Sequence, residues 1–347
     1  MKRRYLLLLI GMIFVMSGCG KVSTQAPASS TESNTAAEEI SADTGAAADS
    51  SADSVEADSA VADETGLFPI DEWEDKWAAK YGKDEFSKEE FDRAQYEETV
   101  EKSKVDEAVT KSSSLVDEMK EIEQVALYYT SYHHEDLGQQ DMNDLSNAET
   151  YTWEYEMQSL LDRISEEADS SKKDSVKANQ EKWEADLERC FEAFQWGDGS
   201  AASMFNSEIQ ARFKKNRCNM LAKELADIRG ESFELPELFY RENSYVSEDA
   251  VLDITAGMEN GSISITYAPK GKEKIELLAY DPLINENTIS FKTSGIFVGD
   301  TEEYTGTEDS PIVGKITYGW DGAVLTITES NDTNLPAGTE VKFPTVM

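Results

Sequence analysis

Histidine and cysteine are nearly missing from this chain, with two His and three Cys in 347 residues. Multi-His metal centres, zinc fingers and thiol redox pairs need more ligands than that, so none of them organises the fold. Basic residues are also scarce: 32 Lys and Arg stand against 70 Asp and Glu, for a formal charge of −38. A surface of that sign repels phosphates, which argues against nucleic acid as a partner. The longest apolar run, Tyr5 to Met16, is about a dozen residues, too short for a permanent membrane span. Nucleophile elbow, P-loop, dinucleotide fingerprint, zincin and calcium-loop motifs are all missing. His133-His134 is the one histidine pair, and adjacent helical positions point about 100° apart, a poor geometry for chelation. Carboxylate pairs are so frequent that their proximity says nothing about acid–base catalysis. The expectation is a binding protein, not an enzyme, with no cofactor and no metal.

What is present begins with an address. Lys2-Arg3-Arg4 precedes the apolar run, which ends in Met16-Ser17-Gly18-Cys19. Basic start, short apolar stretch and small residues before a cysteine resemble the lipobox of bacterial lipoproteins. Residues 1–18 are therefore expected to be a signal peptide and Cys19 the lipidated residue. Each buried acyl CH₂ contributes about 0.8 kcal/mol, so two or three chains give a stable anchor to the outside of the cell membrane. Removal of Lys2, Arg3 and Arg4 takes the formal charge from −38 to −41.

Gly20 to Gly66 consists largely of Ala, Ser, Thr, Asp and Glu, with one Lys and no aromatic residue. It cannot bury enough apolar surface to offset ordering entropy, so residues 19–66 are read as the lipidated cysteine and a disordered acidic linker. As a flexible coil it spans roughly 40 Å on average, and roughly 155 Å fully stretched.

Folded sequence is expected from Leu67, as two parts. Residues 67–235 read as a helical bundle. In a first short helix Pro69 fits the opening turn, and Ile70, Trp73, Trp77 and Tyr81 form an aromatic stripe that Gly82 ends. Ser87-Lys88-Glu89-Glu90 is a capping-box pattern, and residues 87–230 hold no proline. Four further stripes follow at spacings of three and four: Leu115, Met119, Ile122, Ala126, Tyr129; Trp153, Met157, Leu160, Ile164; Val176, Gln180, Trp183, Leu187, Cys190, Phe194; and Ala211, Cys218, Leu221, Leu225, Ile228. One apolar stripe per charged helix predicts an antiparallel bundle.

Past Pro236 the period becomes two: Ile263, Ile265, Tyr267; Ile289, Phe291; Ile316, Tyr318; Leu325, Ile327. Asn260-Gly261 and Asp321-Gly322 are hairpin signals between such runs. Residues 236–347 are expected to hold six or seven strands in an antiparallel β-meander, closed as a small barrel or folded as a sandwich. The fold class is thus α+β multidomain.

Residues 115–230 resemble the lysozyme-inhibitor LprI family, a group of exported bacterial helical domains. The resemblance runs through Ile122-Glu123, Gln140-Asp141-Met142, Tyr151, Trp153 and Leu160-Leu161. It continues through Gln180-Glu181-Lys182-Trp183, similar to the family's Q-x-x-W, then Gly199-Ser200, then Arg217-Cys218 with Leu221, similar to its R-x-x-x-L ending. Gln180, Trp183, Arg217 and Leu221 are taken as the structural motif. Where many members carry Arg-Asp after the Trp, this chain has Leu187 and Glu188. Many members also pair cysteines across a helical hairpin. Here a turn near Gly199 places Cys190 opposite residues 208 or 209 and Cys218 roughly 13 Å further along, which disfavours a bond, although an exported protein invites disulfides and a different helix pairing would bring the two together.

The resemblance implies a tethered, acidic, extracytoplasmic protein that binds a cationic lysozyme or another envelope protein. Candidate contacts are the Trp73, Trp77 and Tyr81 stripe and the bundle turn at Gly199 and Ser200. The alternative reading is a non-inhibitory envelope module that recognises a wall polymer or a surface protein.

Overall fold

The computed structural model describes residues 67–70, 72, 76, 98–130, 138–194, 197, 199–241, 243–257, 261–299, 305–306 and 310–347. The signal region with Cys19, the linker, the Ser87 capping box, His133-His134, Trp73, Trp77 and Tyr81 lie outside these residues. Everything described falls within one compact unit, Glu64–Met347.

Among the described residues five long helices precede the main run of strands: α1 (Glu98–Lys111), α2 (Leu115–Thr130), α3 (Gln139–Glu167), α4 (Ser170–Phe194) and α5 (Ala202–Arg229). Their ends follow local chemistry. Ser114 Oγ accepts from the Asp117 N–H (3.1 Å) and Asp169 Oδ1 from the Lys172 N–H (2.9 Å), satisfying amides that the first turns leave free. Gly230 ends α5 at φ +70°, and the Glu231 N–H returns to Ala226 O at 2.9 Å, a Schellman-type stop.

The predicted stripes are buried at Leu115, Met119, Ile122, Ala126 and Tyr129, at Trp153, Leu160 and Ile164, at Val176, Gln180, Trp183 and Cys190, and at Ala211, Cys218, Leu221 and Leu225. Each fully buried Leu or Ile contributes on the order of 1.5–3 kcal/mol relative to exposure. Successive helices run antiparallel: Glu118 on α2 meets Arg163 on α3, and Lys172 and Gln180 on α4 meet Glu224 and Arg217 on α5. The tightest seam, however, joins α3 and α5, which run parallel. Asn147 meets Ser207, Glu154 meets Lys214 and Glu167 meets Arg229, in increasing order along both helices. Small residues permit this approach: Ala148, Thr152, Ala211, Cys218 and Ala222 are all buried, and Thr150 Oγ1 donates to Ser207 O across the seam at 2.8 Å.

Among the described residues twelve strands form one antiparallel sheet, nine of them along a single ladder. They are β1 (Phe68–Pro69), β2 (Asn243–Val246), β3 (Ala250–Ala256), β4 (Ser262–Pro269), β5 (Ile275–Tyr280), β6 (Leu283–Asn285), β7 (Thr288–Val298), β8 (Thr305–Gly306), β9 (Val313–Gly319), β10 (Gly322–Glu329), β11 (Glu340–Phe343) and β12 (Thr345–Val346). Beside the ladder, β6 and β8 pair with β7, and β1 pairs with β6. Pro69 thus belongs to a two-residue strand against β6, not to the first helical turn; helical structure begins at Ile70, which is buried in the β-core. Eleven strands lie in residues 243–346 where six or seven were expected, because several are only two to four residues long.

The order is β11-β10-β9-β7-β5-β4-β3-β2-β12, a meander that β12 re-enters at the far edge. Strand β7 makes the corner: Thr288–Lys292 pairs with β9, while Thr293–Val298 pairs with β5. The ladder does not close into a barrel, which corrects the barrel half of the expectation. Its ends nevertheless meet, because Pro344 alone separates β11 on one edge from β12 on the other. Two virtual bonds of about 3.8 Å hold Phe343 and Thr345 within roughly 8 Å. Inside the roll, Leu252, Ile254, Ile263, Ile265, Leu277, Ile289, Ile316, Leu325 and Ile327 form the core.

The outer face of β2 and β3 is covered by helices. Val246 and Val251 pack with Trp183 and Cys190 of α4 and Phe213 of α5, while Met347 fills the same cluster. Arg212 on α5 donates to Asp253 Oδ1 at 3.0 Å and to Ser244 Oγ at 3.2 Å, and Asn216 Nδ2 donates to the Met347 oxygen at 2.6 Å.

Candidate functional site

The motif residues from α4 and α5 converge. Arg217, 3% exposed, donates its Nε–H to Gln180 Oε1 at 2.9 Å and an Nη1–H to Asn179 Oδ1 at 3.0 Å. Its guanidinium carbon lies 5.8 Å from the Trp183 ring centre, within cation–π range. Antiparallel packing explains the meeting: Gln180 and Trp183 share the inner face of α4, one turn apart, opposite Arg217. Leu221, one turn beyond Arg217, faces the helical core instead.

These residues form one wall of a cleft of about 210 Å³. Asn179, Lys182, Trp183 and Asp186 come from α4, and Arg217 and Met220 from α5. The opposite wall is Trp320, at the tip of the β9–β10 hairpin, with Pro344, Thr345 and Val346. The Trp320 indole N–H donates to Pro236 O at 2.6 Å, which fixes the ring. The same one-residue link that joins the edges of the sheet therefore supplies the floor between helices and hairpin.

Charge in the cleft is unevenly balanced. Asp186, 8% exposed in its side chain, is paired with Lys182 at 2.5 Å and Arg189 at 3.3 Å. Lys182 also reaches Thr345 Oγ1 at 3.3 Å. Arg217 has only amide oxygens as partners, and no carboxylate forms an ion pair with it among the described residues. Burial pulls its pKa down to about 10, against the opposing pull of Cys218, Glu224 and Glu184, so it remains charged at neutral pH. The buried Trp183 Nε1–H finds no acceptor among the described residues.

A second polar cluster lies inside the bundle. Arg163 on α3 grips Glu118 of α2 with both ends of its fork, at 2.9 and 2.6 Å, and reaches Glu156 Oε1 at 3.3 Å. Glu156 is fully buried, and its other oxygen has no donor among the described residues. Burial first, then the neighbouring Glu118, push the Glu156 carboxyl well above the usual carboxylate range.

Cys190 and Cys218 are free, buried thiols. Gln180 faces Arg217, so Cys190 lies eleven residues, about 16 Å of helix, beyond the level of Cys218. Burial raises both thiol pKa values well above the ordinary one. The turn candidates Gly199 and Ser200 are exposed, and Ser200 O accepts from Asn143 Nδ2 at 3.2 Å. They sit roughly 25 Å along α5 from Arg217, so the turn and the cleft are separate places. Sequence reading missed Asn179, Lys182, Trp320 and Pro344–Val346. A usable signal was present at Gly319-Trp320-Asp321-Gly322, an indole in a tight hairpin between two glycines.

Among the described residues no group of acidic, Cys or His side chains has the arrangement of a metal site, and no helix is long and apolar enough to cross a membrane. Residues 133–221 match the family model described as lysozyme inhibitor LprI. The match covers α3, α4 and α5 as far as Leu221 and lies inside the expected 115–230 span. No curated protein and no solved structure matches the chain.

Proposed function

We propose that this protein is a lipid-anchored, extracytoplasmic binding protein whose helical domain engages a lysozyme and protects the wall from it. The observation that carries the reading is the match of residues 133–221 to the lysozyme-inhibitor family, which coincides with the α3–α5 helices. The charge of −38 supports it, because a strongly acidic surface steers cationic partners to encounter. Steering supplies rate, however, and affinity requires buried anchors in the partner's cleft. Lipidation at Cys19 and the acidic linker would hold the domain at the outer membrane face, within reach of an enzyme acting on the wall. No bond-making chemistry is assigned to the protein in this reading.

The test is a cell-wall lysis assay in which the full chain is titrated against a cationic lysozyme at low and at physiological salt. Stoichiometric inhibition that persists at physiological salt is expected. Inhibition confined to low salt would reduce the interaction to bulk charge, because screening at about 0.15 M shortens electrostatic reach to about 8 Å. Absence of inhibition at either salt would overturn the reading and favour an envelope module that binds a wall polymer or a surface protein.

A further inference from the structure

Among the described residues of this acidic chain, the buried Arg217 guanidinium forms no ion pair, and Glu224 and Glu184 act on it only through space. Taking Arg217 out of water is costly, and its partners Gln180 and Asn179 orient the fork without cancelling its charge. Asp186, the carboxylate among the lining residues, is already shared by Lys182 and Arg189. The rest of the lining is mixed: Trp183, Met220, Trp320, Pro344 and Val346 are apolar or aromatic, and Thr345 adds a hydroxyl. The cleft, at about 210 Å³, is many times the ~10–15 Å³ that one water requires.

We propose that this cleft is a binding site for a small organic carboxylate, held by Arg217 at its anionic end and by Trp183 and Trp320 along its apolar body. A planar carboxylate matches the planar fork, and a charge-assisted bond is stronger than a neutral one. The opposite wall is built by the hairpin tip and by Pro344–Val346, so a ligand in the cleft touches both helices and sheet and braces one against the other. The site is independent of lysozyme binding: it requires neither the exposed turn nor the acidic surface.

The experiment uses the full chain and three probes of similar size or charge: benzoate, its uncharged isostere benzamide, and sulfate. Binding is followed by calorimetry and by ligand-observed NMR. Benzoate is expected to bind saturably, and benzamide at least about tenfold more weakly, the size expected when a hydrogen bond to a charged group is lost. Arg217→Met should reduce benzoate affinity to the benzamide level, with the fold checked by circular dichroism. Should that variant fail to fold, Trp320→Ala tests the other wall: it lies on a surface hairpin and should weaken benzoate several-fold while leaving the protein folded. Equal binding of benzoate and benzamide, sulfate binding as tight as benzoate, or benzoate affinity unchanged in Trp320→Ala would each overturn the assignment. No benzoate binding up to millimolar concentration would overturn it as well. The lysis assay is read separately, so this site and the lysozyme reading fail or stand independently.

Discussion

Gln180 on α4 accepts the Nε–H of Arg217 on α5 at 2.9 Å, beside the Arg217–Asn179 bond and about two turns from the Lys172–Glu224 pair that links the same helices. The bond ties two residues that resemble one family motif into a single buried unit and sets the guanidinium at the mouth between helices and sheet. It also decides how each partner responds to replacement, because one is charged and the other is not.

Gln180→Leu removes the neutral acceptor and leaves a buried guanidinium N–H unsatisfied. It should cost about 1.5–3 kcal/mol. Arg217→Met removes the charge along with its desolvation penalty and should cost less, about 1 kcal/mol, because the Gln180 and Asn179 oxygens lose a donor but no buried charge is left unsatisfied. Urea denaturation at constant m-value measures both. A larger loss for Arg217→Met than for Gln180→Leu would mean that the guanidinium stabilises the fold in its own right.

Glu156 gives the pH prediction. Its folded-state pKa stands well above the usual 4.5, raised by burial and then by Glu118, with Arg163 opposing. The folded state therefore favours its protonated form. The contribution is fully present below about pH 4.5 and is lost as pH rises through the folded-state value. Glu156→Gln, which keeps the donor without the charge, should melt higher than the parent at neutral and alkaline pH. The two should converge near pH 4. Arg163→Met acts in the opposite sense: it strips the shared cation from two buried carboxylates and should destabilise by about 3–5 kcal/mol at neutral pH. Melting curves at several pH values decide both signs.

Much of the architecture was legible because one-sided burial leaves a period in the sequence. Leu115, Met119, Ile122 and Ala126 repeat as a helix must, and Ile263 with Ile265 or Ile289 with Phe291 alternate as half-buried strands must. Strands β2 and β3 were hard to read for the opposite reason. Tyr245 and Leu252 face the roll while Val246 and Val251 face the helices, so both sides are buried and alternation fades. The parallel α3–α5 seam was hidden because Ala148, Thr152 and Ala222 are too small to mark a stripe. The cleft was hidden further still. Arg217 and Trp183 are recognisable by motif, but Trp320 and Pro344 reach them only because the rolled sheet returns its last strand to the edge beside β2.

The cysteines provide a chemical test of the helix pairing. Both thiols are buried, and burial first raises their pKa values, so thiolate is scarce in the native state. Neither Cys190 nor Cys218 should react with an aromatic disulfide reagent at about pH 8 in native buffer, and both should react fully in strong denaturant. Peptide mapping after a mild oxidant should find no Cys190–Cys218 bridge. Finding one would require α4 to slide by several turns against α5, which the Gln180–Arg217 bond forbids.

Gly322 controls the hairpin that carries Trp320. It holds φ at +114°, and a Cβ added there would meet Phe343 O at 2.0 Å. Gly338 makes the matched control, with φ at +85° and nothing within 4 Å of an added Cβ. Gly338→Ala should lose only the backbone strain of about 1–3 kcal/mol. Gly322→Ala must bear that strain and also push β11 away just before Pro344, where the chain crosses from one edge of the sheet to the other. It should melt several degrees below Gly338→Ala, and it should weaken benzoate binding while Gly338→Ala leaves it intact. That difference follows because Phe343 shifts Pro344 and Thr345, and these form the cleft wall facing Arg217. Equal melting temperatures for the two variants would mean that β11 yields freely, and the hairpin would then not be what holds the cleft in shape.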